Sequence, residues 1–206
     1  MKVGIIGAGN IGTTAARLFT KAGHEVAISN SRGPDSLRDL TAELGPTVRA
    51  MTVWDATRFV EMAMEAIPLG KYVLLPAAEL KGKIPISAAD YYHQRDGEID
   101  FGGLSQSEFL ARHLPGVRLV KAFNTMYFRH LATMGDIRLP LEERIAVYLA
   151  GDDAEAKTTV AKLIEEIGFA SVDTGSLRES KKQEPGSPIY NQPMRAREAR
   201  QALAQL

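Results

Sequence analysis

The chain has 206 residues, 45% of them hydrophobic, which is enough to bury a sizeable core and suits one α/β unit with a small appended lobe. Lys plus Arg and Asp plus Glu both total 25, so no net charge draws the molecule to nucleic acid or an anionic membrane, and any anion site must be local. The absence of cysteine excludes a disulfide framework, a thiolate nucleophile and a zinc–cysteine cluster. No apolar run reaches the roughly 20 residues that span a bilayer. "MKVGIIGAGNIG" reads as a strand entering a tight turn rather than a secretory signal, so the expected location is cytoplasmic.

In chain order, Lys2 to Ile6 is a short apolar strand, and Asn10 to Ala22 carries helical spacing through Ile11, Ala15, Leu18 and Phe19 before Gly23 ends it. His24 to Ser29 is the next strand. Pro34 to Leu44 is the next helix, with proline in its first turn and Gly45-Pro46 beyond its end, and Thr47 to Met51 is a third strand. This βαβαβ order predicts half of a doubly wound sheet. Arg58 to Ile67, Lys83 to Ser87 and Arg118 to Ala122 read as further strands, separated by helices near Leu69 to Leu80 and Ser105 to His113. The second of these helices opens on Ser105-Gln106-Ser107-Glu108, a capping-box pattern.

After Asn124 the pattern changes to an irregular stretch, a strand Arg144 to Ala150, a helix Asp153 to Ile167 and a short strand Ala170 to Asp173. The final "ESKKQEPGSPIYNQPMRAREARQAL" is polar and interrupted by prolines, as in a tail or a lid. The expected fold class is therefore α/β. A Rossmann-type doubly wound parallel sheet would span residues 1–122, and a smaller C-terminal substrate or dimerisation lobe with its tail would span 123–206.

Gly7-Ala8-Gly9-Asn10-Ile11-Gly12 is a G-x-G-x-x-G between an apolar strand and a helix. Gly7 permits the tight turn, Gly9 lets backbone approach a pyrophosphate, Gly12 allows close helix–strand packing, and the helix N-terminus offers free N–H donors. Asn10 and Ile11 complete the phosphate loop. The motif alone is weak, but within a strand–turn–helix–strand unit it points to a dinucleotide.

An acidic side chain at the end of the second strand would bind a ribose 2′-hydroxyl and repel a 2′-phosphate. Here the chain reads "AISNSRGPDSL" instead. Ser29, Asn30 and Ser31 supply neutral donors and Arg32 a charged fork suited to phosphate, so the expected cofactor is NADP(H) rather than NAD.

The ordered set "GIIGAGNIG", "SNSRGP", "AIPLGKY", "LPGVRLVKAFNTMYF", "AGDDAEAK" and "VDTGSL" spans most of the chain. It resembles the coenzyme F-420-dependent NADP oxidoreductases, which are related to the cytoplasmic reductase domain of STEAP metalloreductases. The resemblance implies that Ser31 and Arg32 match the 2′-phosphate site, that Ala66, Ile67 and Pro68 form the strand end beside the cofactor, and that Ala122 to Thr125 form the wall near the nicotinamide. It also implies hydride transfer to a small-molecule redox acceptor. The region after Asp173 departs from the characterised deazaflavin enzymes, which leaves a flavin, a deazaflavin or another planar acceptor open.

Within the expected strand, "FVEMAMEAIP" puts Glu61 and Glu65 on one face where a central parallel strand should be apolar on both, and solvent access or pairing with a basic neighbour is expected for them. The four histidines lack metal-ligand spacing, and no metal site is assigned. Trp54 is expected to pack. Tyr91, Tyr92 and His93 follow a strand's carboxyl end and are candidates for lining a pocket, as is "MYFRHL" from Met126 to Leu131.

Asn124 also sits at the sheet's carboxyl edge. It would either meet the nicotinamide carboxamide or close the turn. Two classes of function follow: a reductase in which the cofactors carry the chemistry and no side chain is assigned as catalytic, and an NADPH-binding sensor or scaffold without turnover. The reductase is the expected one. Homodimerisation is left open.

Overall fold

Alternation along each strand decides which of two cores a side chain enters. In a computed structural model describing residues 1–206, eight strands form one sheet. They are β1 (Lys2–Ile6), β2 (Glu25–Ser29), β3 (Val48–Ala50), β4 (Met62–Glu65), β5 (Ile84–Ser87), β6 (Val120–Ala122), β7 (Ala146–Gly151) and β8 (Ala170–Asp173). Their order is β3-β2-β1-β4-β5-β6-β7-β8, and every adjacent pair is parallel except β6 with β7. The helices are α1 (Asn10–Lys21), α2 (Arg38–Leu44), α3 (Val53–Phe59), α4 (Ala77–Leu80), α5 (His93–Asp96), α6 (Gln106–His113), α7 (Phe128–Thr133), α8 (Ala154–Glu166) and α9 (Ala196–Leu203).

Val26 and Ile28 of β2 face the larger core, lined by Ala15, Ala16 and Phe19 of α1 and by Val160, Leu163 and Ile164 of α8. Ala27 and Ala63 face the other side, against Ala56 of α3, Leu80 of α4 and Leu110 of α6. Helices on both faces explain why the central strands are apolar on both. No helix is long and apolar enough to cross a membrane.

The expected elements shift where local chemistry overrides the apolar pattern. Thr52 caps α3 by accepting the Asp55 N–H at 3.1 Å, which carries the helix through Phe59, so the strand expected from Arg58 begins only at Met62. Glu61 consequently lies exposed on a bend, off the strand. The helix expected over Leu69 to Leu80 is split by Pro76, which holds Leu75 in an extended conformation between a 3-10 turn (Leu69–Leu74) and α4. The capping box forms as expected, with the Ser105 N–H donating to Glu108 Oε2 at 2.8 Å and the Glu108 N–H to Ser105 Oγ at 3.0 Å.

Residues 123–206, expected as a smaller lobe, extend the same sheet through β7 and β8, and Val147 and Leu149 share a continuous core with Val3 and Ile5. The proline-interrupted segment packs back on this sheet. Ile189, Ala196 and Ala199 cover Tyr148 and Val172, and the Asn191 N–H donates to Thr125 C=O at 3.2 Å.

Candidate active site

β1 feeds into Gly7, whose φ of 111° favours glycine, and α1 starts with Gly9 at its N-cap. No side chain caps this end and no acid lies in its first turn, so its leading N–H groups and the positive end of its dipole are free to meet an anion. A Cβ added to Gly12 would lie 1.9 Å from Gly7 C=O, whereas one added to Gly9 would meet nothing within 4 Å. Gly12 thus seats the helix on the turn, while Gly9 keeps clear a space that belongs to no protein atom. That space opens into a cleft of about 820 Å³ lined also by Asn30, Ser31, Arg32, Ala66, Ile67 and Pro68. Its chemistry fits a dinucleotide.

Of the four residues expected around a 2′-phosphate, Ser29 is turned away. It is fully buried, and its hydroxyl donates to Ile5 C=O at 3.0 Å, so that donor is consumed between strands. Asn30 shapes the turn by accepting the Arg32 N–H at 2.9 Å and donating to Ser36 Oγ at 2.9 Å. Ser31 and Arg32 remain exposed on the cleft wall. The same wall carries Lys71 and Trp54, two residues not assigned to the site from sequence. Trp54, expected to pack, is 50% exposed, because the Thr52 cap aligns the first turn of α3 along the cleft rim.

A second cavity of about 330 Å³ shares Gly9, Ala66, Ile67 and Pro68 with the cleft and is bounded by Asn10, Ile11, Phe123, Asn124 and Met126. Phe123 adopts φ 68° and is fully buried, its ring edge-on to Phe19 at 6.1 Å. Such a conformation costs on the order of 1–3 kcal/mol in a non-glycine residue. It is retained where β6 ends and turns Asn124 inward. Asn124 Nδ2 donates to Asp90 Oδ1 at 2.9 Å and to Gln183 C=O at 2.7 Å, which leaves its Oδ1 buried without a partner. Both neighbours can only accept, so the amide orientation is fixed. Asn124 therefore ties the end of β6 to Asp90 and to the C-terminal segment, a role beyond the two expected for it, while still bordering the cavity. Tyr92 and Tyr127 line the cavity. Tyr91 and His93 do not, since the Tyr91 hydroxyl turns to Gly97 C=O at 2.8 Å and to His93 Nδ1 at 3.2 Å.

The carboxyl end of β4 holds Glu65, for which solvent access or pairing with a basic neighbour is expected. Solvent access is denied, since Glu65 is 3% exposed and accepts from Ser87 Oγ at 2.9 Å and from the Ile67 N–H at 3.4 Å, while the charge of a basic neighbour, Lys121, does act on it. Burial pushes its pKa up to about 7, although Ser87 and the Lys121 charge oppose the shift. Lys121 is itself buried in β6, bonded to Ala89 C=O and lying 3.4 Å from Asp90 Oδ1.

Sheet order reverses between β1 and β4, and both cavities open at that switch point, where doubly wound folds bind dinucleotides. The molecule is a Rossmann-type dinucleotide-binding protein. Residues 2–91 match the family model described as NADP oxidoreductase, coenzyme F420-dependent. The chain is 30% identical to metalloreductase STEAP3 of Rattus norvegicus over 186 residues, 89% of this chain but only 36% of that protein. Its fold is similar to that of the hypothetical protein SMa0349 from Sinorhizobium meliloti, with TM-score 0.84, 32% identity and 95% of each chain covered. A candidate F420-dependent NADP-reductase from Arthrobacter sp. FB24 shares the fold at TM-score 0.71 and 24% identity, covering 100% of this chain and 91% of that one.

Proposed function

We propose that the cleft holds NADPH and that the second cavity holds a planar flavin or deazaflavin ring to be reduced. Ser31 and Arg32 receive the 2′-phosphate, Gly9 and the N–H groups of α1 the pyrophosphate, and Trp54 offers a face to the adenine. Ala66 to Pro68 and Asn124 flank the nicotinamide. When bound, NADPH supplies the hydride, and the chain's part is to position two rings and exclude water. Phe123, Met126, Tyr127 and Phe128 give the second cavity an apolar wall suited to a flat aromatic system.

The observation that carries this reading is that the two cavities adjoin, with Gly9, Ala66, Ile67 and Pro68 lining both, so that one side of this shared wall faces Arg32 and the other Phe123. Stopped-flow mixing of the NADPH-loaded protein with FMN and with 5-deaza-FMN tests it. Oxidation of NADPH faster than the uncatalysed reaction with at least one of them is expected. Protein that binds NADPH but accelerates neither reaction refutes a flavin-type acceptor.

A further inference from the structure

We infer that the buried carboxylate of Glu65, lying behind the wall formed by Ala66, Ile67 and Pro68, is a counter-charge for the nicotinamide, so that the protein comes to prefer NADP⁺ over NADPH as Glu65 ionises and bound NADPH becomes a stronger hydride donor. This rests on the reductase reading above, which sets the nicotinamide against that wall, and adds a positioning residue to it.

Glu65 ends β4 at the switch point, between Ile6 of β1 and Ser87 of β5. Its Oε1 accepts the N–H of Ile67, so the carboxyl group lies directly under the segment that lines both cavities, and its Oε2 accepts from Ser87 Oγ. The neighbouring charges decide whether this one is free to act. Lys121 of β6 is the cation whose field reaches it and Asp90, beyond β5, the anion; β1 brings no charge to the pairing. Lys121 is already engaged, since its ammonium lies 3.4 Å from Asp90 Oδ1, is bonded to Ala89 C=O and also acts on Glu184. Asp90 further accepts from Asn124 Nδ2 at 2.9 Å and from the Tyr190 hydroxyl at 2.9 Å, which is bonded in turn to the hydroxyl of Tyr92. Every contact of its carboxylate is a cation or a donor, so Asp90 stands ionised and balances Lys121. The ionised Glu65 then leaves this group of three with one net negative charge.

Loss of hydride turns the neutral dihydronicotinamide into a ring with one positive charge. A buried anion behind the ring attracts the cationic form and is indifferent to the neutral one; at an effective dielectric near 20, a charge within about 10 Å is worth about tenfold in affinity. The phosphates are common to both forms, so their repulsion from Glu65 cancels in the comparison. Because burial holds the Glu65 carboxyl up at about 7, the counter-charge is absent in mild acid and appears as pH rises through that value. By linkage, bound NADP⁺ makes Glu65 a stronger acid than bound NADPH does. A carboxyl group kept only to receive Ser87 Oγ and the Ile67 N–H would not respond to the charge on the ring.

Calorimetric titration of the full chain with NADP⁺ and with NADPH, at pH 6 and at pH 8.5, tests this without any acceptor. In the parent, the ratio of the NADPH to the NADP⁺ dissociation constant should rise at least about fivefold between the two pH values. In Glu65→Gln, whose amide can keep both hydrogen bonds, the ratio should change by less than about twofold and stay within about threefold of the parent's ratio at pH 6. The 2′-phosphate titrates in both forms and drops out of the ratio. A second readout uses the parent alone: near pH 6.5, in buffers of different ionisation enthalpy, binding of NADP⁺ should release about half a proton more than binding of NADPH. A flat ratio in the parent, a pH dependence that survives Glu65→Gln, or equal proton release with the two forms overturns the counter-charge and leaves the reductase reading intact. A parent protein that binds neither form overturns both. Should Glu65→Gln not fold, the proton release decides.

Discussion

Replacing Glu65 by glutamine should make the fold more stable in mildly alkaline solution and change little in mild acid. The Glu65 carboxyl ordinarily titrates at 4.5 and is raised to about 7 in the folded protein. Between those values the folded chain keeps a proton that the unfolded chain has released, so stability falls as pH rises through the window and the whole loss is present above pH 7. The interval corresponds to about 3 kcal/mol for the parent protein. Glu65→Gln removes the titration, and its amide can still accept from the Ile67 N–H and donate to Ser87 Oγ. Lys121, however, loses a compensating charge, which reduces the gain. The expected net gain at pH 8 is about 1–3 kcal/mol, a rise of roughly 2–10 °C in Tm for a chain of this length. At pH 5 the two proteins should agree within about 1 kcal/mol. Thermal melts followed by circular dichroism across pH 5 to 8 measure this. A difference that does not grow with pH, or a variant less stable than the parent at pH 8, would refute the burial of an ionising Glu65.

Gly9→Val should abolish NADPH binding with the melting temperature nearly unchanged, because the added side chain meets only ligand space. Gly12→Val should instead fail to give soluble folded protein, its Cβ colliding with Gly7 C=O; calorimetry and melts of the two variants separate these outcomes. Trp54→Ala should weaken NADPH binding by about tenfold, within the range for loss of a stacking face on a base, without lowering Tm, since the ring is half exposed. Lys121→Met should cost about 3–5 kcal/mol in denaturant unfolding, because it leaves Asp90 and Glu65 buried without their cation.

The glycine turn and the strand–helix alternation could be read from sequence because they depend on local chemistry: glycine at positive φ, apolar period and caps. Individual side-chain roles depended on contacts far along the chain. Ser29 looked like a phosphate donor until the register of β1 and β2 placed Ile5 C=O within its reach. Whether solvent or a basic neighbour meets Glu65 had no local signal, because Ser87 and Lys121 come from two other strands. Trp54 beside Asp55 does stand in a short helix, as its local sequence suggests, but the Thr52 cap sets the first turn along the cleft rim, where the ring stays exposed instead of packing. The Asp90, Tyr92 and Tyr190 array joins residues about a hundred positions apart and had no local signal.

Cofactor choice at the end of β2 is tested most directly by calorimetric titration of NADPH and NADH into the parent protein and into Arg32→Ala. The account predicts tighter binding of NADPH by the parent and loss of most of that preference in the variant. One charge-assisted phosphate contact is worth about 1.5–3 kcal/mol, roughly tenfold to more than a hundredfold in affinity. Equal affinities for the two cofactors in the parent, or a preference that survives Arg32→Ala undiminished, would contradict it.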